Sequence, residues 1–126
     1  MARYYESIGK IDYAPSGWVV LNCSNSIVWY YKWWIEKFTG KKVNIPLHGA
    51  HITVVAGKYE QTQKSVNWKK YHECDVSFRY DSVIMTDDIY YWLTIQCPLL
   101  TTIRRSLGLS DLPKWEFHLT IGSINY

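Results

Sequence analysis

The chain has 126 residues, 48% of them hydrophobic and 20% charged, which predicts one domain spanning residues 1–126 and excludes an extended disordered protein. A formal net charge of +3 is too small for a general DNA or RNA coater but suits an anionic ligand in a local pocket. Cys23, Cys74 and Cys97 are odd in number and lack Cys-x-x-Cys spacing, so neither a zinc ribbon nor a disulfide framework is expected.

No apolar run approaches the ~20 residues of a membrane span, and the N-terminus, with Arg3, Glu6 and Lys10, lacks a signal-peptide core. The expectation is a cytoplasmic protein with no membrane partner. The aromatic content is high, with 7 Trp and 11 Tyr; such side chains fill cores and also stack on nucleobases.

In chain order, residues 1–16 are mixed and run into a turn signal at Ala14-Pro15-Ser16-Gly17. Trp18 to Leu21 read as a short strand. Ser24 or Asn25 can cap a helix in which Ile27, Tyr30, Tyr31, Trp34, Ile35 and Phe38 recur at helical spacing until Gly40. That stripe is expected to be core. Lys41 to Pro46 lead into a strand from His51 that Gly57 ends, and residues 58–72 are polar, with Trp68 and Tyr71 spaced for one or two helical turns.

Cys74, Val76, Phe78 and Tyr80 alternate with Asp75, Ser77 and Arg79 as in a strand with one polar face. Ile89 to Gln96 also read as a strand, with Tyr91, Leu93 and Ile95 on one face and Trp92 and Thr94 on the other. Pro98 opens a second helix whose apolar positions Leu100, Ile103 and Leu107 precede Gly108, with Arg104 and Arg105 expected on its solvated side. A last strand follows Lys114.

Two tetrapeptides carry the chemistry: His51-Ile52-Thr53-Val54 and His118-Leu119-Thr120-Ile121. Strand parity puts each histidine and threonine on one face and the two aliphatics on the other. Two imidazoles flanking a phosphodiester can act as general base and general acid without a metal, because histidine titrates near ~6.5. The threonine hydroxyls can donate to non-bridging phosphate oxygens. A lone His-x-Thr is more often structural; two copies, each after a strand-helix unit, are more specific.

These motifs resemble the 2H phosphoesterase family, matching it at His51, Thr53, His118 and Thr120. Within it the chain is most similar to the phage anti-CBASS phosphoesterases, through Met1-Ala2-Arg3-Tyr4-Tyr5, the segment from His48 to Tyr59, and Phe117 to Gly122. Together with the element order, the resemblance implies an α+β fold of two pseudo-symmetric strand-helix lobes around a central cleft. The implied function is metal-independent cleavage of the 3′-5′ bonds of cyclic oligonucleotide messengers, evading bacterial anti-phage signalling. The partner would be a cyclic di- or trinucleotide, with no cofactor and no DNA, acting in the host cytoplasm if the chain is phage-encoded. Eight residues follow His118 in the sequence, so contacts from a longer C-terminal tail are not expected. The alternatives are a 2′,3′-cyclic phosphodiesterase of RNA ends, or a non-catalytic sponge for a nucleotide messenger.

Outside the motifs, Trp92 is a candidate for base stacking and Arg79 for phosphate pairing, each weighed against an ordinary surface role. Tyr13 and Lys58 are further substrate-binding candidates. His48 and His72 lack a tight ligand pair, so no metal site is expected, and Asp87-Asp88 reads as a solvated turn.

Overall fold

A computed structural model describes residues 3–58, 60 and 62–124. Met1, Ala2 and Tyr59 of the resemblance stretches lie outside the described residues. The elements are β1 (Tyr4–Tyr13), β2 (Val19–Asn22), α1 (Asn25–Thr39), β3 (His51–Val55), β4 (Asp75–Asp81), β5 (Met85–Thr86), β6 (Tyr90–Gln96), α2 (Pro98–Ser106) and β7 (His118–Ser123).

The strands hydrogen-bond in the order β4-β1-β2-β3-β7-β6-β5, and β4 also pairs with β6. Every pairing is antiparallel. Six strands therefore close into one barrel, with the short β5 appended to β6. This corrects the expected α+β fold of two strand-helix lobes. The molecule is mostly sheet with two helices among the described residues, and the motif strands are neighbours in one ring rather than the facing walls of a cleft. The reason is pairing: Arg79↔Gln96 and Tyr80↔Ile95 join what would have been separate halves, and β3 meets β7 directly, with Ile52 opposite Leu119.

One face of this ring is continuously apolar. Ile11 pairs with Leu21, Leu21 with Ile52, Ile52 with Leu119 and Leu119 with Leu93, and all five are 0% exposed. Full burial of such a side chain contributes about 1.5–3 kcal/mol. Both helices add to the same core, through Ile27, Val28, Tyr31 and Ile35 of α1 and Leu100 and Ile103 of α2.

The caps of α1 follow its sequence signals: Ser24 Oγ accepts from the Ser26 amide, and Gly40 adopts a left-handed φ of 68° while its amide donates to the Glu36 carbonyl. Its aromatic stripe is only partly core. Tyr30, Trp34 and Phe38 line a groove of about 890 Å³ with Tyr5, Tyr80 and Tyr91, and Phe38 is 78% exposed. The helix buries its Ile27–Tyr31–Ile35 edge and leaves the wider aromatic arc uncovered.

Arg104 also departs from expectation. It is 1% exposed, donating to the Val54 carbonyl at 2.8 Å, the Ser110 carbonyl at 2.7 Å and the Glu60 carboxylate at 3.0 Å. A buried guanidinium is stable only with such a complete set of acceptors. The described residues between 58 and 72 form turns and no helix, and Trp68 packs edge-on against Tyr13 with ring centroids 5.0 Å apart.

Candidate active site

The antiparallel register at Ile52↔Leu119, extended one residue each way, sets His51 beside Thr120 and Thr53 beside His118. All four side chains lie on the polar face and are partly buried, whereas Ile52, Val54, Leu119 and Ile121 are buried. Directly opposed side chains on neighbouring strands have Cβ atoms about 4.5–5.5 Å apart, and diagonal ones about 7–8 Å. The two histidines stand diagonally across this bridge, on the same face of neighbouring strands.

The same backbone device orients both imidazoles. His51 Nδ1 lies 2.9 Å from the Gly49 carbonyl oxygen, and His118 Nδ1 lies 2.6 Å from that of Glu116. A carbonyl oxygen only accepts, so each Nδ1 carries the proton; in the neutral ring the lone pair is then on Nε2, the edge turned away from the bonded carbonyl. Each histidine is thereby held as a base at Nε2, or as an acid there once protonated.

The surroundings of the two rings differ. On the β2 side, Asn22 is paired with His51 and Val20 with Thr53. Gly49, whose carbonyl holds His51, has a φ of 82°, and Asn25 Oδ1 accepts from the neighbouring Ala50 amide at 2.8 Å. On the β6 side, Thr94 is paired with His118 and Trp92 with Thr120. The Trp92 ring stands 6.5 Å from the His118 ring at an interplanar angle of 67°. A groove of about 670 Å³ opens there, lined by His118, Thr120, Trp92, Trp115, Glu116 and Asp87 among others.

The remaining candidates are dispersed. Arg79 is exposed on β4, opposite Gln96 of β6, with its guanidinium 5.0 Å from the centre of the Tyr4 ring. Lys58 is exposed in the turn after β3. Tyr13 is 2% exposed, in the core with Trp68, and is not brought to the histidines; its hydroxyl accepts from the Tyr71 amide. Burial is the main cause that raises its pKa above the ordinary phenol value. His72 is occupied structurally, its Nδ1 accepting from the Tyr13 amide at 3.1 Å, and His48 is exposed. Asp87 Oδ1 accepts from the Tyr90 and Ile89 amides, at 2.7 and 3.0 Å, and these bonds hold its carboxyl below the usual range.

Sequence reasoning missed Trp115 and the two carbonyl anchors. Only Gly49 carried a local signal, a glycine two residues before a motif histidine. Compared with known protein families, curated proteins and solved structures, the chain matches none at a significant level. No helix among the described residues is long and apolar enough to cross a membrane.

Proposed function

We propose that the protein is a phosphodiesterase acting on cyclic oligonucleotides, with His51 and His118 as the acid–base pair and Thr53 and Thr120 as phosphate-oxygen donors. The observation that carries this reading is the diagonal histidine pair in which both Nδ1 atoms are tied to backbone carbonyls. A structural histidine needs no such matched arrangement on two paired strands; a proton-transfer pair does, because each Nε2 must face the reacting group in a defined tautomer.

One Nε2 takes the proton of a ribose 2′-hydroxyl, and O2′ attacks the adjacent phosphorus. The P–O5′ bond breaks, and the second histidine, protonated at Nε2, delivers its proton to the departing O5′. The threonine hydroxyls donate to the non-bridging oxygens as charge grows on them. The product is a linear nucleotide ending in a 2′,3′-cyclic phosphate. Trp92, beside Thr120, provides a face for the base. Ring messengers of bacterial anti-phage signalling are substrates of this class.

The test is incubation of the protein with ring dinucleotides at substoichiometric enzyme. Multiple turnovers to a linear product are expected. Turnover of terminal 2′,3′-cyclic phosphates alone would assign the site to RNA ends, and stoichiometric binding without product would make the protein a sponge.

A further inference from the structure

Two acidic residues line the groove beside His118, Asp87 and Glu116, and they are not equivalent. Asp87 is engaged by the Ile89 and Tyr90 amides. Glu116 gives its backbone carbonyl to His118, while its carboxylate has no hydrogen bond or ion pair among the described residues. An unpaired negative charge next to a phosphodiester site repels the phosphate. It is useful only if the ligand presents hydrogen-bond donors to it.

Resting on the phosphodiesterase reading, we propose that Glu116 is a specificity residue that reads the guanine base of a ring nucleotide lying in this groove. Trp92 and Trp115 both line the groove and present ring surface for a base. Lys114 covers one face of Trp115, its Nζ 5.6 Å from the ring centre, and Trp92 lines the groove beside His118, the two rings 6.5 Å apart. Among the bases, guanine offers two adjacent donors, N1–H and the exocyclic amino group, matched to the two oxygens of a carboxylate in a charge-assisted bidentate contact. Adenine and cytosine each place an acceptor nitrogen beside their amino group, which faces the second carboxylate oxygen unfavourably. Hypoxanthine keeps N1–H but lacks the amino group.

Calorimetric titration of the full chain with the guanosine ring dinucleotide and its inosine counterpart isolates that one group. The wild-type protein is expected to bind the guanosine ring about 5- to 150-fold more tightly, the range of one good bidentate base contact. Glu116→Gln, which presents one acceptor and one donor, and Glu116→Ala are each expected to bind the two rings alike. Glu116 is exposed, so neither substitution disturbs the core. Equal wild-type affinities, or a guanine preference that survives in Glu116→Gln, would overturn the proposal.

Cleavage of both rings without preference would remove this inference and leave the phosphodiesterase reading standing. Tight, Glu116-dependent guanine binding without cleavage would do the reverse. Neither binding nor cleavage would remove both.

Discussion

The two motif strands carry the same four-residue pattern and the same histidine–carbonyl device, yet they are held in different ways. β3 is anchored from several directions. Asn25 fixes the turn before it at Ala50, Gly49 shapes that turn, and buried Arg104 grips the Val54 carbonyl from α2. β7 lies against β6 and faces a groove with exposed tryptophan and carboxylate side chains. The difference teaches that two chemically matched histidines need not have matched duties toward a ligand: on the proposed reading the His51 side is scaffold, and the His118 side is where a base would be met.

The largest expected effect would break the comparison, because both sides should fail alike. His51→Ala and His118→Ala should each lower kcat by ~10²- to 10⁴-fold, with circular dichroism unchanged since neither side chain belongs to the core. Thr53→Val and Thr120→Val should cost less, about tenfold each, the loss of roughly one charge-assisted hydrogen bond. Steady-state kinetics on a ring dinucleotide reads all four. One histidine variant with near-full activity would show that the pair does not act together.

The next effect sharpens the asymmetry. Arg104→Met leaves Glu60 and the Val54 and Ser110 carbonyls without their donor, and should destabilise the fold by about 3–5 kcal/mol, seen in urea unfolding. Arg105→Met should change stability by less than about 1 kcal/mol, because Arg105 and its partner Asp111 are both exposed.

The smallest expected effect concerns the turn that holds His51. Gly49→Ala puts a Cβ at positive φ and 3.2 Å from Asn25 Oδ1, a strain of about 1–2 kcal/mol. It should lower kcat while affinity for a ligand in the His118 groove stays near wild type, so a parallel loss of both would contradict the division of labour.

Much of this was readable along the chain because its causes are local. The caps at Ser24 and Gly40, the proline at the start of α2, and the parity of His51, Thr53, His118 and Thr120 depend on neighbours within a few residues. The barrel was not readable, because closure depends on which strands pair across long separations, and only two residue pairs join β4 to β6 among the described residues. The ten-residue β1 was hidden for a different reason. Gly9 stands at an inward position where a Cβ would meet the Asn22 carbonyl and the Leu21 side chain, while Ile8 is 64% exposed, so the alternation is blurred where the strand is most crowded.

Arg104 lies inside and not on the solvated side of α2, and Tyr13 is buried as well, because residue type alone does not fix environment. A guanidinium with enough acceptors is stable inside, and a tyrosine near a turn is equally at home in the core. In the site, the histidines and threonines were legible as a motif. Their carbonyl anchors were not, since any residue can supply a carbonyl and only the backbone path sets where it points.

The central claim is that two histidines move the protons while the substrate's own 2′-hydroxyl attacks. Mass spectrometry of products from a ring dinucleotide and from its analogue with 2′-deoxyribose next to the scissile 3′-phosphate tests it most directly. The native ring should pass through a linear 2′,3′-cyclic phosphate, in the presence of EDTA as in its absence, and the 2′-deoxy ring should bind but stay intact because the intramolecular nucleophile is gone. Equally fast cleavage of the 2′-deoxy ring would show that water is the attacking group and would contradict the account.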